Sequence, residues 1–552
     1  MRSFTDRVCG ASAPATKTAR RAWGVVLLLA LAVFACFLPA LGSQFVLWDD
    51  DMNFTDNPSY RGLSVAHLRW MFTTLYGGHY QPLSWVTLGL DYTLWGMNPT
   101  GYHLTNILLH AANAVLVYRL IVALVPGVGA RAALVGALGF AIHPLRVESV
   151  AWATERRDVL SGLFYLATVL GYLRFAEAQR EGRPSRGWLA ASVGCFLLSL
   201  LAKAWGITLP LVLLALDVYP LRRLVGRSDV VPRLREKLPY LALALGGAVL
   251  AQLASNQVPA KRALAQHGVV ERAAQAAYGF VFYLWKTVAP VRLSPVYLLE
   301  QTLRPSAPRY LASAAIVAGV TAAAVLLRRR APWATVACAC YALVLVPVLG
   351  FVQTGPQIAA DRYSYLACLP WAVLAAAGID RLRGRPATAA LAAAALATLG
   401  VLTFRQTRVW HDSRTLWEHA LRIDPDDYIA YLNRGTVRQA EGDLAGAFAD
   451  FTEAVRRNPD YYLAWYSRGT ERLARGDHAG AIADYTETLR INPRYIEAYN
   501  NRGLARQRTG DLEGAIADLS EALRRSPPDW PPRVMIQGNL TMAQQELARR
   551  GR

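Results

Sequence analysis

Three adjacent carboxylates, Asp49, Asp50 and Asp51, directly follow the apolar stretch that ends at Phe45, Val46, Leu47 and Trp48. Mutual charge and burial raise the pKa of at least one acid in such a run, which suits a general base. The alternative is a solvated acidic turn. A second charged group runs His143, Arg146, Glu148, Trp152, Glu155, Arg156, Arg157 and Asp158. Charges this close to hydrocarbon are costly unless paired or functional. Arginine binds phosphate in bidentate fashion, so a lipid-linked phosphate is a plausible substrate. Interfacial charges that pair with each other are the alternative. Lys203, Lys286 and the triplet Asp361, Arg362, Tyr363 are predicted on the same membrane face. No Walker A, GxSxG, HExxH or dinucleotide pattern is present, so ATP- or NAD-driven chemistry has no visible seat. The aspartates lack a second cluster fixed by spacing, and no metal is assigned to them. The six cysteines (Cys9, Cys36, Cys195, Cys338, Cys340, Cys368) show no metal-ligand spacing and read as inert thiols.

These residues need a membrane to position them. The 552-residue chain is 54% hydrophobic and 18% charged, against about 25% charged in soluble domains. About eleven segments can cross roughly 30 Å of hydrocarbon. They are residues 22–42, 101–124, 131–147, 158–176, 187–203, 206–221, 238–255, 309–327, 332–352, 362–380 and 386–404. The net charge of +20 is concentrated in short loops between them. It reads as topology by the positive-inside rule rather than as a nucleic-acid surface. The tail 1–21 is then cytoplasmic, and the acidic first loop lies outside. Tyr278–Ala289 is short and interrupted by Lys286, and reads as an interfacial or re-entrant helix. Eleven crossings place the C-terminal block outside the cytoplasm; a twelfth would reverse this.

Beyond residue 405 the composition becomes charged and helical. Gly435, Gly469 and Gly503 are 34 residues apart, as are Asp443, Asp477 and Asp511, and Pro459, Pro493 and Pro527. That is the tetratricopeptide period. Repeats fall near 428–461, 462–495 and 496–529, after a half unit at 413–425 and before a capping helix at 529–552. Tyr431, Trp465 and Tyr499 recur at one register position, expected in the core between helices and as contacts for an extended acceptor peptide. The expected organisation is a tail at 1–21, a multi-span domain at 22–405 and a repeat domain at 406–552, all α-helical.

The chain resembles the transmembrane and tetratricopeptide repeat-containing protein O-mannosyltransferases, in particular their bacterial-type relatives. The resemblance rests on FVLWDDDMNFTDNP (45–58), QPLSW (81–85), NPTGYHLTNILLH (98–110), HPLRVESVAWATERRDVLSGLF (143–164), LAKAWGITLPLVLLALDVYPL (201–221), YLWKTVAPVRLSPVY (283–297) and DRYSYL (361–366), followed by the repeats. It implies a GT-C glycosyltransferase that takes mannose from a polyprenyl-phosphate carrier and delivers it to Ser or Thr hydroxyls of proteins. It implies that Asp49 or Asp50 is the catalytic base and that Glu148 orients acceptor or donor. Arg156, Arg157, Arg362, Lys203 and Lys286 are then expected at the donor phosphate, and His143 and Trp152 at the acceptor. The expected partners are the bilayer, the lipid-linked sugar and an acceptor protein, without nucleic acid. The expected location is a bacterial inner membrane with periplasmic repeats. Asp51, Gln81 and Ala204 depart from the family pattern, which leaves the sugar and acceptor open. A lipid or polysaccharide acceptor, or a non-enzymatic scaffold, are the rival readings.

Overall fold

The computed structural model describes residues 15–256, 268–351, 355–528 and 530–550, with side chains from Trp23 onward. Residues 1–14 of the tail, including Cys9, and Asp529 at the start of the expected cap lie outside the described residues. The chain divides into two units, Met1–Asp412 and Ser413–Arg552.

In the first unit six helices are long and apolar enough to cross a membrane: Trp23–Gly42, Pro99–Leu124, Ala153–Arg180, Arg227–Ser255, Pro308–Leu327 and Pro386–Trp410. Two further helix pairs, Ala130–Ala141 with Pro144–Ala151 and Asp361–Ala367 with Leu369–Arg381, are bent by 53° and 57°. Three shorter apolar helices are Arg186–Ala202, Ala204–Val218 and Pro332–Val348. Together they coincide segment for segment with the eleven read from hydropathy. Proline opens several of these helices, where its missing N–H costs nothing. Leu27, Leu31, Leu245, Leu326 and Leu391 point outward, as lipid-facing positions do. The segment expected as Tyr278–Ala289 is a full helix, Val269–Val288.

The acidic first loop is a folded substructure. It carries the helices Val65–Thr73 and Pro82–Trp95. Phe54, Tyr60, Met71, Trp85, Leu88 and Tyr102 form its core with Ala153. An antiparallel ladder of Tyr297–Leu298 with Gln357–Ala359 immediately precedes Asp361. Elsewhere the described residues are helical or irregular.

The second unit is a stack of helix pairs: Tyr428–Ala440 with Leu444–Arg457, Tyr462–Ala474 with His478–Ile491, and Ile496–Thr509 with Leu512–Arg525. Ser413–Ile423 precedes them and Pro532–Arg550 closes the stack. Gly442, Gly476 and Gly510 have φ of 86°, 80° and 87°, the left-handed turn between paired helices. The aspartate after each caps the next helix, accepting from the N–H of Gly446, Gly480 and Gly514 at 2.9 Å. Arg434, Arg468 and Arg502 clip each pair through Asp450, Asp484 and Asp518.

Candidate active site

The three acids of the first loop have different environments. Asp50 is fully buried. Its carboxylate accepts from the Val46 N–H at 2.9 Å and the Thr154 N–H at 3.0 Å. It also accepts from the Thr154 hydroxyl at 2.6 Å. The Asn53 amide donates to the same hydroxyl at 3.1 Å. Asp50 therefore fastens the first loop to the second charged group. Burial pushes its pKa up to about 7, and these donors oppose the rise. Asp51 opens a single π-helical turn, Asp51–Thr55, and is partly exposed.

Asp49 is different. Its φ is +69°, a left-handed conformation that costs a side-chain-bearing residue roughly 1–2 kcal/mol and is tolerated best by Asn and Asp. Its side chain reaches solvent although protein surrounds it on most sides. Burial raises its pKa; the fields of Arg157 and Arg362 lower it, and those of Glu155 and Asp51 raise it.

The two cations that act on Asp49, Arg157 and Arg362, meet with Lys203 at Glu155. Glu155 is fully buried and accepts from Arg157 Nη2 at 2.7 Å and from Lys203 Nζ at 2.9 Å. Arg362 Nε lies 3.4 Å from it. Lys203 also bonds Asp158, which in turn accepts from Ser149 at 2.9 Å. Glu148 accepts from the Arg362 backbone N–H at 2.7 Å and pairs with its guanidinium. Arg157, Lys203 and Arg362 thus share three buried acids, Glu155, Asp158 and Glu148. His79 enters the same environment from the first loop. Desolvation holds its pKa down at about 3, helped by Arg157 and Lys203, so the ring is neutral. Neither the hub role of Glu155 nor the presence of His79 is visible from spacing.

Other expected site residues have internal partners. Arg156 is buried against Asp91 at 2.5 Å, the Tyr102 carbonyl at 2.9 Å and Asn106. Lys286 donates to the carbonyls of Val291 and Arg292 at 2.7 and 3.0 Å. His143 bonds the Thr287 carbonyl at 3.0 Å and caps Leu145. Trp152 is 1% exposed, stacked between Trp48 and Trp410 with Arg362 over its ring. It does not offer an open face. In the repeats Tyr431, Trp465 and Tyr499 are partly buried, each under an arginine three residues on. Among the described residues no group of three or more His, Cys, Asp or Glu is disposed to hold a metal ion.

Family models of the tetratricopeptide repeat match residues 398–462, 469–510 and 496–529. Protein O-mannosyl-transferase TMTC4 of Homo sapiens is 36% identical over 143 residues, covering 23% of this chain and 19% of that protein. Protein O-mannosyl-transferase TMTC2 of Mus musculus is 36% identical over 150 residues, covering 27% of this chain and 18% of its own length. Protein O-mannosyl-transferase TMTC1 of Homo sapiens is 33% identical over 227 residues, covering 37% of this chain and 25% of its own length. This chain is similar to the protein O-mannosyl-transferases. The matched stretches span a quarter or less of those relatives. Among solved structures, the first tetratricopeptide domain of Spaghetti (RPAP3) bound to an HSP90 peptide aligns over 23% of this chain and 96% of its own, with 22% identity and a TM-score of 0.21.

Proposed function

We propose that the protein is a membrane glycosyltransferase that moves mannose from a polyprenyl-phosphate carrier to Ser or Thr hydroxyls of proteins on the extracytoplasmic face. The observation that carries this reading is Asp49: a strained, solvent-reaching carboxylate in the field of Arg157 and Arg362, which Glu155 and Glu148 hold in place. Similarity to proteins named O-mannosyl-transferase supports the reaction class.

In this reading the acceptor hydroxyl oxygen attacks the anomeric carbon as the bond from that carbon to the carrier phosphate oxygen breaks. The hydroxyl proton passes to Asp49, and the phosphate departs as an anion beside Arg157, Lys203 and Arg362. A phosphate needs little acid assistance to leave, so cations suffice on that side. The weakly nucleophilic hydroxyl needs the base. Asp50 positions Asp49 through Thr154; Glu148 and Glu155 position the arginines. Arg156, Lys286 and His143 hold the scaffold. Neutral His79 is suited to hydrogen-bond a sugar or acceptor hydroxyl. The repeats, Tyr431, Trp465 and Tyr499 among them, retain the acceptor polypeptide and raise its effective concentration.

The test is incorporation of label from polyprenyl-phosphate-[³H]mannose into protein by the purified chain in lipid vesicles. Label in Ser- or Thr-linked mannose supports the proposal. Label found only in lipid or polysaccharide supports the rival acceptor class, and no transfer from this donor counts against the reading.

A further inference from the structure

Arg146 is a buried cation that the proposed reaction leaves without a task; it is 1% exposed. Its contacts gather on one stretch of chain. Nη2 donates to Ser364 Oγ at 3.0 Å, and the guanidinium lies 5.5 Å from the Tyr365 ring centre. It also interacts with Asp361 and Cys368. The Phe140 ring centre is 5.2 Å away. Holding a charge out of water is costly unless it is paired or hydrogen-bonded. Filling space therefore does not account for an arginine here.

The stretch that Arg146 holds carries Arg362. The Ser364 hydroxyl that receives Arg146 donates in turn to the Asp361 carbonyl at 2.7 Å. That carbonyl and the Arg362 N–H belong to one peptide bond, and the N–H donates to Glu148 at 2.7 Å. A single peptide plane is thus gripped at its oxygen and at its nitrogen. Because the peptide unit is planar, the two grips together fix where the Arg362 Cα sits and how its side chain leaves the backbone. Hydrogen bonds in series polarise one another, so the charge on Arg146 strengthens the bond from Ser364 to the carbonyl. Tyr297 fixes the Asp361 side chain, its hydroxyl donating to Oδ1 at 2.9 Å. Arg146 and Glu148 lie two residues apart in Pro144–Ala151, one half of a bent pair, and Ser364 lies in Asp361–Ala367, one half of the other. Two broken helices are therefore tied to each other at the residue that pairs with Glu148 and Glu155.

We propose that Arg146 is a positioning residue for Arg362: through Ser364 it orients the 361–362 peptide plane and so sets the guanidinium at the donor phosphate. The part played at the phosphate rests on the proposed transfer reaction. The grip on the peptide plane does not.

The test uses the full chain in lipid vesicles and two readouts. One is amide hydrogen exchange over residues 361–368; the other is steady-state transfer from polyprenyl-phosphate-mannose to a Ser/Thr peptide. Arg146→Met keeps side-chain length and loses the donor. Arg146→Lys keeps a donor and the charge. Ser364→Ala removes one hydroxyl, should fold in any case, and breaks the relay from its other side. Arg146→Met and Ser364→Ala should each speed exchange at 361–368 and raise the donor KM at least about tenfold, since a shift of about 1 Å in a positioned group can cost about a hundredfold. The KM for the peptide should stay near wild type. Arg146→Lys should recover most of the loss. The double variant Arg146→Met/Ser364→Ala should be no worse than Arg146→Met, because the two residues act in one chain of bonds. Wild-type exchange and donor KM in Ser364→Ala, or effects that multiply in the double variant, overturn the proposal. So does an Arg146→Met variant that outperforms Arg146→Lys, the order expected of a side chain that only fills space. If wild type transfers no mannose, the proposed function falls and exchange alone decides the grip. Faster exchange in both single variants, with no further gain in the double, keeps it; wild-type exchange removes it.

Discussion

The acidic run assigns different work to neighbours that look alike in the sequence. Asp50 accepts three hydrogen bonds and is closed to solvent; Asp49 is open and strained. In the Asp50→Asn variant an amide N–H would face donors, leaving at least one unsatisfied at about 1–3 kcal/mol. That variant is expected to melt several degrees lower and to lose activity through misplacement of Asp49, measurable by thermal unfolding alongside transfer. A base must be deprotonated to act, and burial raises the Asp49 pKa. Activity should therefore fall as pH drops through a value above the ordinary carboxylate range near 4. The acid limb of the kcat/KM profile measures this; a limb at or below pH 4 would speak against Asp49 as base. The sequence made the three acids legible but not the choice among them. Alternation of exposure within such a short run depends on Thr154, about a hundred residues away. His79 carries no spacing signal at all, since its neighbours are supplied by tertiary structure.

At the scale of elements, periodicity carried most of the reading. Continuous apolar runs marked the membrane-capable helices, and the 34-residue period marked the repeats. The close approach of paired helices explains why small residues recur. A Cβ on Gly435 would meet the Phe451 ring at 2.6 Å, and one on Gly469 the Tyr485 ring at 3.0 Å. Gly469→Val is expected to cost the repeat unit about 1–3 kcal/mol by overpacking, seen as a lower denaturation midpoint for residues 413–552. An unchanged midpoint would mean that the stack can widen. The first loop was not legible as a folded element. Its helices are short and its core is aromatic, gathered from Phe54, Trp85 and Tyr102 without a period. The bends near Pro144 and Leu369 were likewise hidden inside apolar runs.

At the scale of the whole molecule, a membrane unit bearing an acid and a cation cluster is joined to a repeat stack of a type that grips extended chains. If the repeats retain the acceptor, a chain truncated after Asp412 should still mannosylate a short Ser/Thr peptide at a comparable kcat. Its KM for a long polypeptide acceptor should rise roughly 10- to 100-fold, the loss expected when an intramolecular encounter becomes bimolecular. Equal KM values for truncated and intact chains would reduce the repeats to a spacer.

The central claim is that Asp49 takes the proton from the acceptor. Its most direct test is single-turnover transfer by Asp49→Asn, a substitution that keeps the left-handed backbone accessible and nearly preserves shape. The account predicts a thermal midpoint and donor affinity close to wild type, with the chemical step slowed about 10²- to 10⁴-fold. A rate within threefold of wild type would contradict it.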